Sequence, residues 1–102
     1  MKQRTTLARL EVLTDSLNHI TGSPAKPYTT GTVPMLSNVG NYHLDGAYGG
    51  WLLSRMDNER GARRDVFGSG HVTKSALDRL ICAYRDGIED TLRAADMKGG
   101  EA

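Results

Sequence analysis

Apolar residues near the start of the chain recur at spacings of three and four positions. Because this spacing places side chains on one face of a helix, residues 5–20 are predicted to form an amphipathic helix. Thr5 or Thr6 is suited to cap its first turn, and Gly22 followed by Pro24 is suited to end it. The apolar stripe consists of Leu7, Leu10, Leu13, Leu17 and Ile20.

A second helical pattern occupies the C-terminal part of the chain, over residues 73–95. Thr73 or Ser75 is suited to cap its start. Gly87 interrupts the pattern, which predicts either the close approach of another backbone or a slight kink. We expect residues 97–102 to form a frayed tail. The apolar stripe consists of Leu77, Leu80, Ile81, Tyr84, Ile88 and Leu92.

The central segment, residues 41–67, is compatible with two structures. As a helix, residues 47–60 would carry the adjacent pair Gly49 and Gly50 in their interior, at a cost of about 1 kcal/mol for each glycine. As a sheet, the same segment would form antiparallel strands joined by turns, and we favour this interpretation. Its strands would be residues 42–44, 51–56 and 63–67.

All three prolines lie within residues 22–40, which we interpret as a connecting arm. Within the arm, residues 32–36 are suited to an edge strand, where proline is tolerated. The chain is therefore predicted to be one α+β domain, with its N- and C-terminal helices packed on one face of a two- or three-stranded antiparallel sheet. Its segments are an N-terminal helix (1–21), the arm (22–40), the hairpin with the C-terminal helix (41–96) and the tail (97–102).

The composition narrows the class of protein. A chain of 102 residues is the size of one domain, which excludes a multi-domain enzyme with a separate cofactor lobe, and no cofactor is predicted. The net charge of +1 gives no large electrostatic field, so bulk charge does not indicate obligate nucleic-acid binding. One cysteine, Cys82, and the lack of a run of 18 apolar residues predict a cytoplasmic protein with no membrane segment.

A glycine-rich segment precedes the second helix and is a candidate anion site. Backbone N–H groups in such a loop, together with the positive end of the helix dipole, favour a phosphate or carboxylate. The spacing is not that of a Walker A motif, so nucleotide hydrolysis does not follow, and a tight turn with a helix cap explains the same residues. The candidate residues are Gly68, Ser69, Gly70, His71 and Lys74.

Arginine and aromatic residues are concentrated on the predicted hairpin. Aromatic faces beside guanidinium groups are suited to a protein partner or to a single-stranded nucleic acid, on which bases stack. Acidic residues lie among the arginines, so a solvated turn with ion pairs is the alternative. The candidate partner-binding residues are Tyr48, Trp51, Arg55, Arg60, Arg63 and Arg64.

No recognised catalytic or metal-binding pattern occurs in the chain. The three histidines, His19, His43 and His71, are widely separated, and no second cysteine or His-Glu-x-x-His motif accompanies them. Cys82 lies among apolar helix residues and is expected to be an inert core residue. We therefore predict no metal site and no catalytic residue.

Residues 40–90 resemble short proteins encoded by tailed phages and prophages of Gram-negative bacteria. The resemblance is carried by YHLDGAYGGW over residues 42–51, Leu53, Arg55, DVFGSGH over residues 65–71, Leu77 and the helix over residues 83–88. This family has no assigned activity, and residues 1–39 have no counterpart in it. The resemblance implies an accessory protein that binds and modulates or inhibits a host protein, such as a component of a defence system, in the manner of anti-CRISPR proteins.

The expected function is therefore non-catalytic binding of a host protein. Direct nucleic-acid binding through the arginines, and capture of a nucleotide or similar small ligand at residues 68–74, are the alternatives. The stripe of the first helix also permits a homodimer, provided that the monomer leaves it uncovered.

Overall fold

The computed structural model describes residues 5–29, 31 and 36–100, with side chains as far as residue 96. These residues form two helices and two antiparallel sheets, which confirms the predicted α+β fold. The elements in chain order are α1 (Leu7–Thr21), β1 (Tyr28–Thr29), β2 (Leu36–Ser37), β3 (Tyr42–Ala47), β4 (Gly50–Met56), β5 (Arg63–Asp65) and α2 (Lys74–Gly100).

The starts of both helices and the end of α1 lie where short-range chemistry predicts. The Thr6 hydroxyl accepts a hydrogen bond from the Arg9 N–H (3.1 Å), and the Thr73 hydroxyl accepts one from the Ala76 N–H (3.2 Å). At the end of α1, Gly22 adopts a φ of 67°, and its N–H donates to the His19 carbonyl (3.2 Å). A residue without a side chain reaches this left-handed conformation at little cost.

The central segment forms an antiparallel meander in the order β3-β4-β5, so the helical alternative for residues 47–60 is wrong. Ala47 pairs with Gly50, which leaves a two-residue turn of Tyr48 (φ 54°) and Gly49 (φ 74°). Positive φ at both turn positions matches the right-handed twist of the two strands. The glycines that would weaken a helix thus serve a tight hairpin.

Both helices pack on one face of this sheet. The core cluster consists of Leu10, Leu13, Leu17, Tyr42, Leu53, Leu77 and Ile81. α1 and α2 run side by side in the same direction, since Arg9 contacts Asp78 (3.3 Å) and Ser16 contacts Arg85 (3.5 Å). The stripe of α1, which could have served a homodimer, is therefore largely used within the chain: Leu10, Leu13 and Leu17 are buried.

The arm contains a small two-stranded sheet, in which β1 pairs with β2. The Asn38 side chain stabilises this sheet with two hydrogen bonds. Its amide nitrogen donates to the Lys26 carbonyl (3.0 Å), and its amide oxygen accepts from the Thr29 hydroxyl (2.8 Å). Of the edge strand predicted at residues 32–36, only Leu36 lies within the described residues, as part of β2.

α2 is longer than predicted. It continues through residues 97–100, which the sequence pattern assigns to a frayed tail. The reason is local, because residues 93–98 favour a helix and Gly87 does not break it. No helix in the described part of the chain is long and apolar enough to cross a membrane.

Candidate functional site

The predicted arginine and aromatic surface is not one surface in the folded protein. Tyr48 lies in the β3–β4 turn, whereas Arg60 lies in the turn that follows β4 at the other end of that strand. A seven-residue strand is about 20 Å long, so these two side chains are remote from each other. Closeness in sequence does not bring them together, because a strand extends the chain almost fully.

Two further members of that predicted surface serve the fold. The Arg55 Nε donates to the Gly40 carbonyl (3.1 Å), and its guanidinium lies 4.6 Å from the centre of the Tyr42 ring. Trp51 is half-buried against the core, and its backbone exchanges two hydrogen bonds with Val72 (2.8 and 2.9 Å). Both residues are half-buried, and the contacts described here lie within the fold.

The remaining three arginines are exposed at the β4–β5 end of the sheet. Arg63 and Arg64 follow each other on β5, so their side chains point to opposite faces. Arg64 lies 3.8 Å from the Asp57 carboxylate, in a mostly exposed ion pair. This part of the hairpin fits the alternative of a solvated turn with ion pairs, and the aromatic partners expected for base stacking lie elsewhere.

The glycine-rich loop holds an anion that the chain itself supplies. The Asp65 carboxylate accepts hydrogen bonds from the N–H groups of Phe67 (3.3 Å), Gly68 (3.1 Å) and Gly70 (2.8 Å). Two of the predicted anion-binding donors are therefore already paired. The tight-turn interpretation accounts for their geometry, and an external anion would have to displace Asp65.

The tip of the β3–β4 hairpin is the most exposed aromatic feature of the described surface. Tyr48 is 98% exposed. Its backbone has a positive φ, which residues other than Gly and Asn rarely adopt. Its ring meets the His71 ring edge to face, with centroids 5.6 Å apart. His71, predicted as an anion ligand, thus supports Tyr48, and Lys74 opens α2 as an exposed residue.

One end of the outer edge of β3 is closed by a side chain. Asn18 lies in the buried stripe of α1 and bonds both backbone groups of Tyr42: its oxygen accepts from the N–H (2.8 Å) and its amide donates to the carbonyl (2.9 Å). Asn18 thereby takes the place of a neighbouring strand at this position.

The other end of that edge is open. Asn41 bonds toward β4, since its carbonyl accepts from the Met56 N–H (2.9 Å). Backbone groups alternate along a strand, so Tyr42, Leu44 and Gly46 direct theirs away from β4. Within the described residues, β3 has no neighbour on this side, and no bond reaches the backbone of Leu44 or Gly46.

A cavity of about 280 Å³ lies beside this open edge. The Trp51 ring forms one wall and crosses Gly46 so closely that a Cβ there would lie 2.8 Å from the ring. Glu11 and Asp15, one turn apart on α1, contribute the carboxylates of the lining. The full lining is Leu7, Glu11, Thr14, Asp15, Ala25, Pro27, Tyr42, His43, Leu44 and Trp51.

His43 lies in this lining with an altered acidity. Burial lowers its pKa below the ordinary value, and the Arg63 charge lowers the pKa further, while Asp45 and the Asn41 backbone oppose the shift. The His43 Nδ1 lies 3.1 Å from the Asn41 side-chain oxygen. Its Nε2 is buried and has no hydrogen-bond partner among the described residues.

Two other polar side chains, Tyr42 and Cys82, form hydrogen bonds within the fold. The Tyr42 and Tyr84 hydroxyls lie 2.8 Å apart, and burial together with this hydrogen bond raises the pKa of Tyr42 to about 12. Burial and the hydrogen bond to Asp78 raise the pKa of the Cys82 thiol.

In the part of the chain that the structure describes, no three His, Cys, Asp or Glu side chains are arranged to hold a metal ion.

Sequence patterns miss the residues that shape this region. The spacing of the α1 stripe assigns Asn18 to the solvent-facing side of the helix, whereas the structure buries it. Glu11 and Asp15 follow a spacing that predicts an exposed helix face and nothing more.

No protein-family model, curated protein or solved structure matches the chain.

Proposed function

We propose that the chain is a non-catalytic accessory protein of a tailed phage or prophage that captures a protein of the bacterial host. The observation that supports this proposal is Tyr48, an aromatic side chain 98% exposed at a strained position of the hairpin tip. Fold stability does not require a tyrosine there, because Asn or Gly suits a two-residue turn of this kind better.

An exposed tyrosine is well suited to bind a protein. It supplies a large contact area with little conformational freedom to lose, and tyrosines are enriched among the residues that dominate binding energy. Strained residues concentrate at functional sites because selection for function outweighs their cost to stability. The edge-to-face contact with His71 limits the motion of the ring and so prepares it for binding.

The resemblance to phage and prophage proteins suggests the first partner to test, a component of a bacterial defence system. A bait that carries the full chain is incubated with lysate of a Gram-negative bacterium, treated with nuclease, and the retained proteins are identified by mass spectrometry. Retention after nuclease treatment supports a protein partner. If nuclease treatment abolishes retention, the chain binds nucleic acid, with the arginines of the β4–β5 end as the candidate site, and the proposal is overturned.

The decisive variant is Tyr48→Asn. Because Asn tolerates positive φ, we expect the free energy of unfolding to stay equal or rise by up to about 1 kcal/mol, while partner affinity falls at least about tenfold. The control is Val12→Asn, which replaces a side chain 62% exposed on α1 and is expected to leave capture unchanged. Equal capture by Tyr48→Asn and the parent chain would remove the hairpin tip from the interaction.

A further inference from the structure

We infer that the open edge of β3, at Leu44 and Gly46, pairs with an extended peptide segment whose Lys or Arg side chain enters the adjacent cavity. This inference rests on the proposed function, because it specifies the form in which a captured protein would present itself. The open edge ends at Gly46, two residues before Tyr48, so both features belong to the same end of the sheet.

The backbone geometry provides the first argument. Leu44 and Gly46 are two residues apart, which is the repeat at which an added strand forms its hydrogen bonds. Their N–H and carbonyl groups point away from β4, and Asn18 satisfies the equivalent groups of Tyr42. An exposed strand edge of this kind is the template for strand addition, in which backbone bonds give affinity and pockets give specificity.

The cavity provides the second argument. Its volume of about 280 Å³ lies just under the range of about 300–1,000 Å³ usual for whole small ligands, and is suited to one long side chain. Side chains of an added strand would alternate across the sheet, so every second one could face this lining. Gly46 lets the Trp51 ring lie across β3 and form the wall of the cavity at the edge.

Charge identifies the side chain. Glu11 and Asp15 both line the cavity, and neither forms an ion pair with a described residue. The Trp51 ring offers an aromatic face in the same lining, and such a face attracts a cation. A Lys or Arg side chain satisfies both features, whereas an acidic side chain would meet two carboxylates.

The same charges argue against a second copy of this chain as the occupant. Pairing β3 with β3 of another copy would bring four carboxylates, Glu11 and Asp15 from each copy, to one seam. Like charges at an interface oppose association. A separate basic peptide segment meets no such repulsion.

The test uses a displayed library of random heptapeptides, selected against the intact chain and against two variants. Glu11→Lys with Asp15→Lys reverses the charge of the cavity. Asp86→Lys is the matched control, because it reverses an exposed carboxylate on α2 that does not line the cavity. We expect the parent and the control to enrich peptides with Lys or Arg at one fixed position, and the double variant to lose that preference or select Asp or Glu instead.

The most enriched peptide is then added to the isotopically labelled chain. Strand addition predicts that the amide protons of Leu44 and Gly46 exchange at least about tenfold more slowly with the peptide than without it, while the Tyr42 amide changes little. Enrichment without a basic residue, the same basic motif on the double variant, no enrichment, a shift to dimer, or unchanged exchange at Leu44 and Gly46 would each overturn the inference.

The two proposals fail separately. Equal lysate capture by Tyr48→Asn and the parent would overturn binding at the hairpin tip, and the peptide selection would still report on β3. A failed selection, with capture that depends on Tyr48, would overturn strand addition and leave capture of a protein by the tip in place.

Discussion

The two ends of the outer edge of β3 differ in how their backbone is satisfied. At Tyr42, Asn18 of α1 reaches the strand and bonds its N–H and its carbonyl. At Leu44, α1 instead lines a cavity beside the strand with Leu7, Glu11, Thr14 and Asp15, and no described hydrogen bond joins these four residues to the backbone of Leu44 or Gly46. The same helix therefore closes one end of an edge and leaves the other open.

The comparison shows that a strand edge can be protected by a single amide. An amide carries one donor and one acceptor side by side, so it imitates the backbone of a neighbouring strand. A carboxylate offers acceptors only and cannot do this for an N–H and a carbonyl together. Replacing Asn18 should thus damage the closed end, while changes at the open end should alter shape and charge with less effect on folding.

The largest expected effect is that of Asn18→Ala. This change leaves the N–H and the carbonyl of Tyr42 without partners in a buried place, so we expect a loss of about 3 kcal/mol in the free energy of unfolding. Urea denaturation measures it. His19→Ala, at the neighbouring exposed position, is the control and should stay within about 0.5 kcal/mol of the parent. Equal stability of both variants would contradict the closing role of Asn18.

Gly46→Ala tests the open end and is expected to have a smaller effect. The new Cβ would lie 2.8 Å from the Trp51 ring, which must move, at a cost of about 1–3 kcal/mol. Trp51 is the single tryptophan, so a shift in its fluorescence emission reports the movement directly. Gly87→Ala is the matched control, since nothing lies within 4 Å of the added atom and up to about 1 kcal/mol of helix stability is gained. Unchanged emission in Gly46→Ala would show that the ring does not rest on Gly46.

The smallest expected effect on stability is that of replacing His43, which lies on β3 between Tyr42 at the closed end and Leu44 at the open end. Its pKa is lowered in the folded chain, first by burial and then by Arg63, so the unfolded chain takes up a proton more readily. The neutral His43 ring therefore contributes to the free energy of unfolding. This contribution is fully present above the ordinary pKa of 6.5 and is lost as the pH falls through the lower pKa of the folded state.

We therefore expect His43→Gln to lose less thermal stability than the parent between pH 7 and pH 5, as measured by the midpoint of thermal unfolding. His19→Gln, which removes an exposed histidine on α1, should follow the parent. A parallel decline in all three proteins would assign the acid sensitivity to other groups.

Much of the fold is predictable from the sequence, because its signals are local. The spacing of the leucines marks both helices, Thr6, Gly22 and Thr73 cap them as expected, and the glycines after Tyr48 favour a turn over a helix. The sequence pattern underestimates the extent of α2, since the two terminal glycines suggest fraying but cost less than the preceding helix formers contribute.

The candidate site was much less predictable, because it depends on contacts between distant segments. The Asn18–Tyr42 bonds join residues 24 positions apart, and the cavity combines α1, the arm and two strands. The residues predicted to bind a partner do not form one surface for the opposite reason: Tyr48 and Arg60 are close in sequence, but an extended strand separates them. Likewise, composition marks an anion loop and does not reveal that Asp65 fills it.

The length of α2 also determines how this protein can be handled. The helix has 27 residues, or about 40 Å at 1.5 Å per residue, and it begins three residues after His71, which touches Tyr48. A label, fusion or solid support joined beyond Gly100 would therefore be held far from the hairpin tip and the open strand edge. Immobilisation through that end leaves both surfaces facing the solution, whereas attachment through the β3–β4 turn would block them.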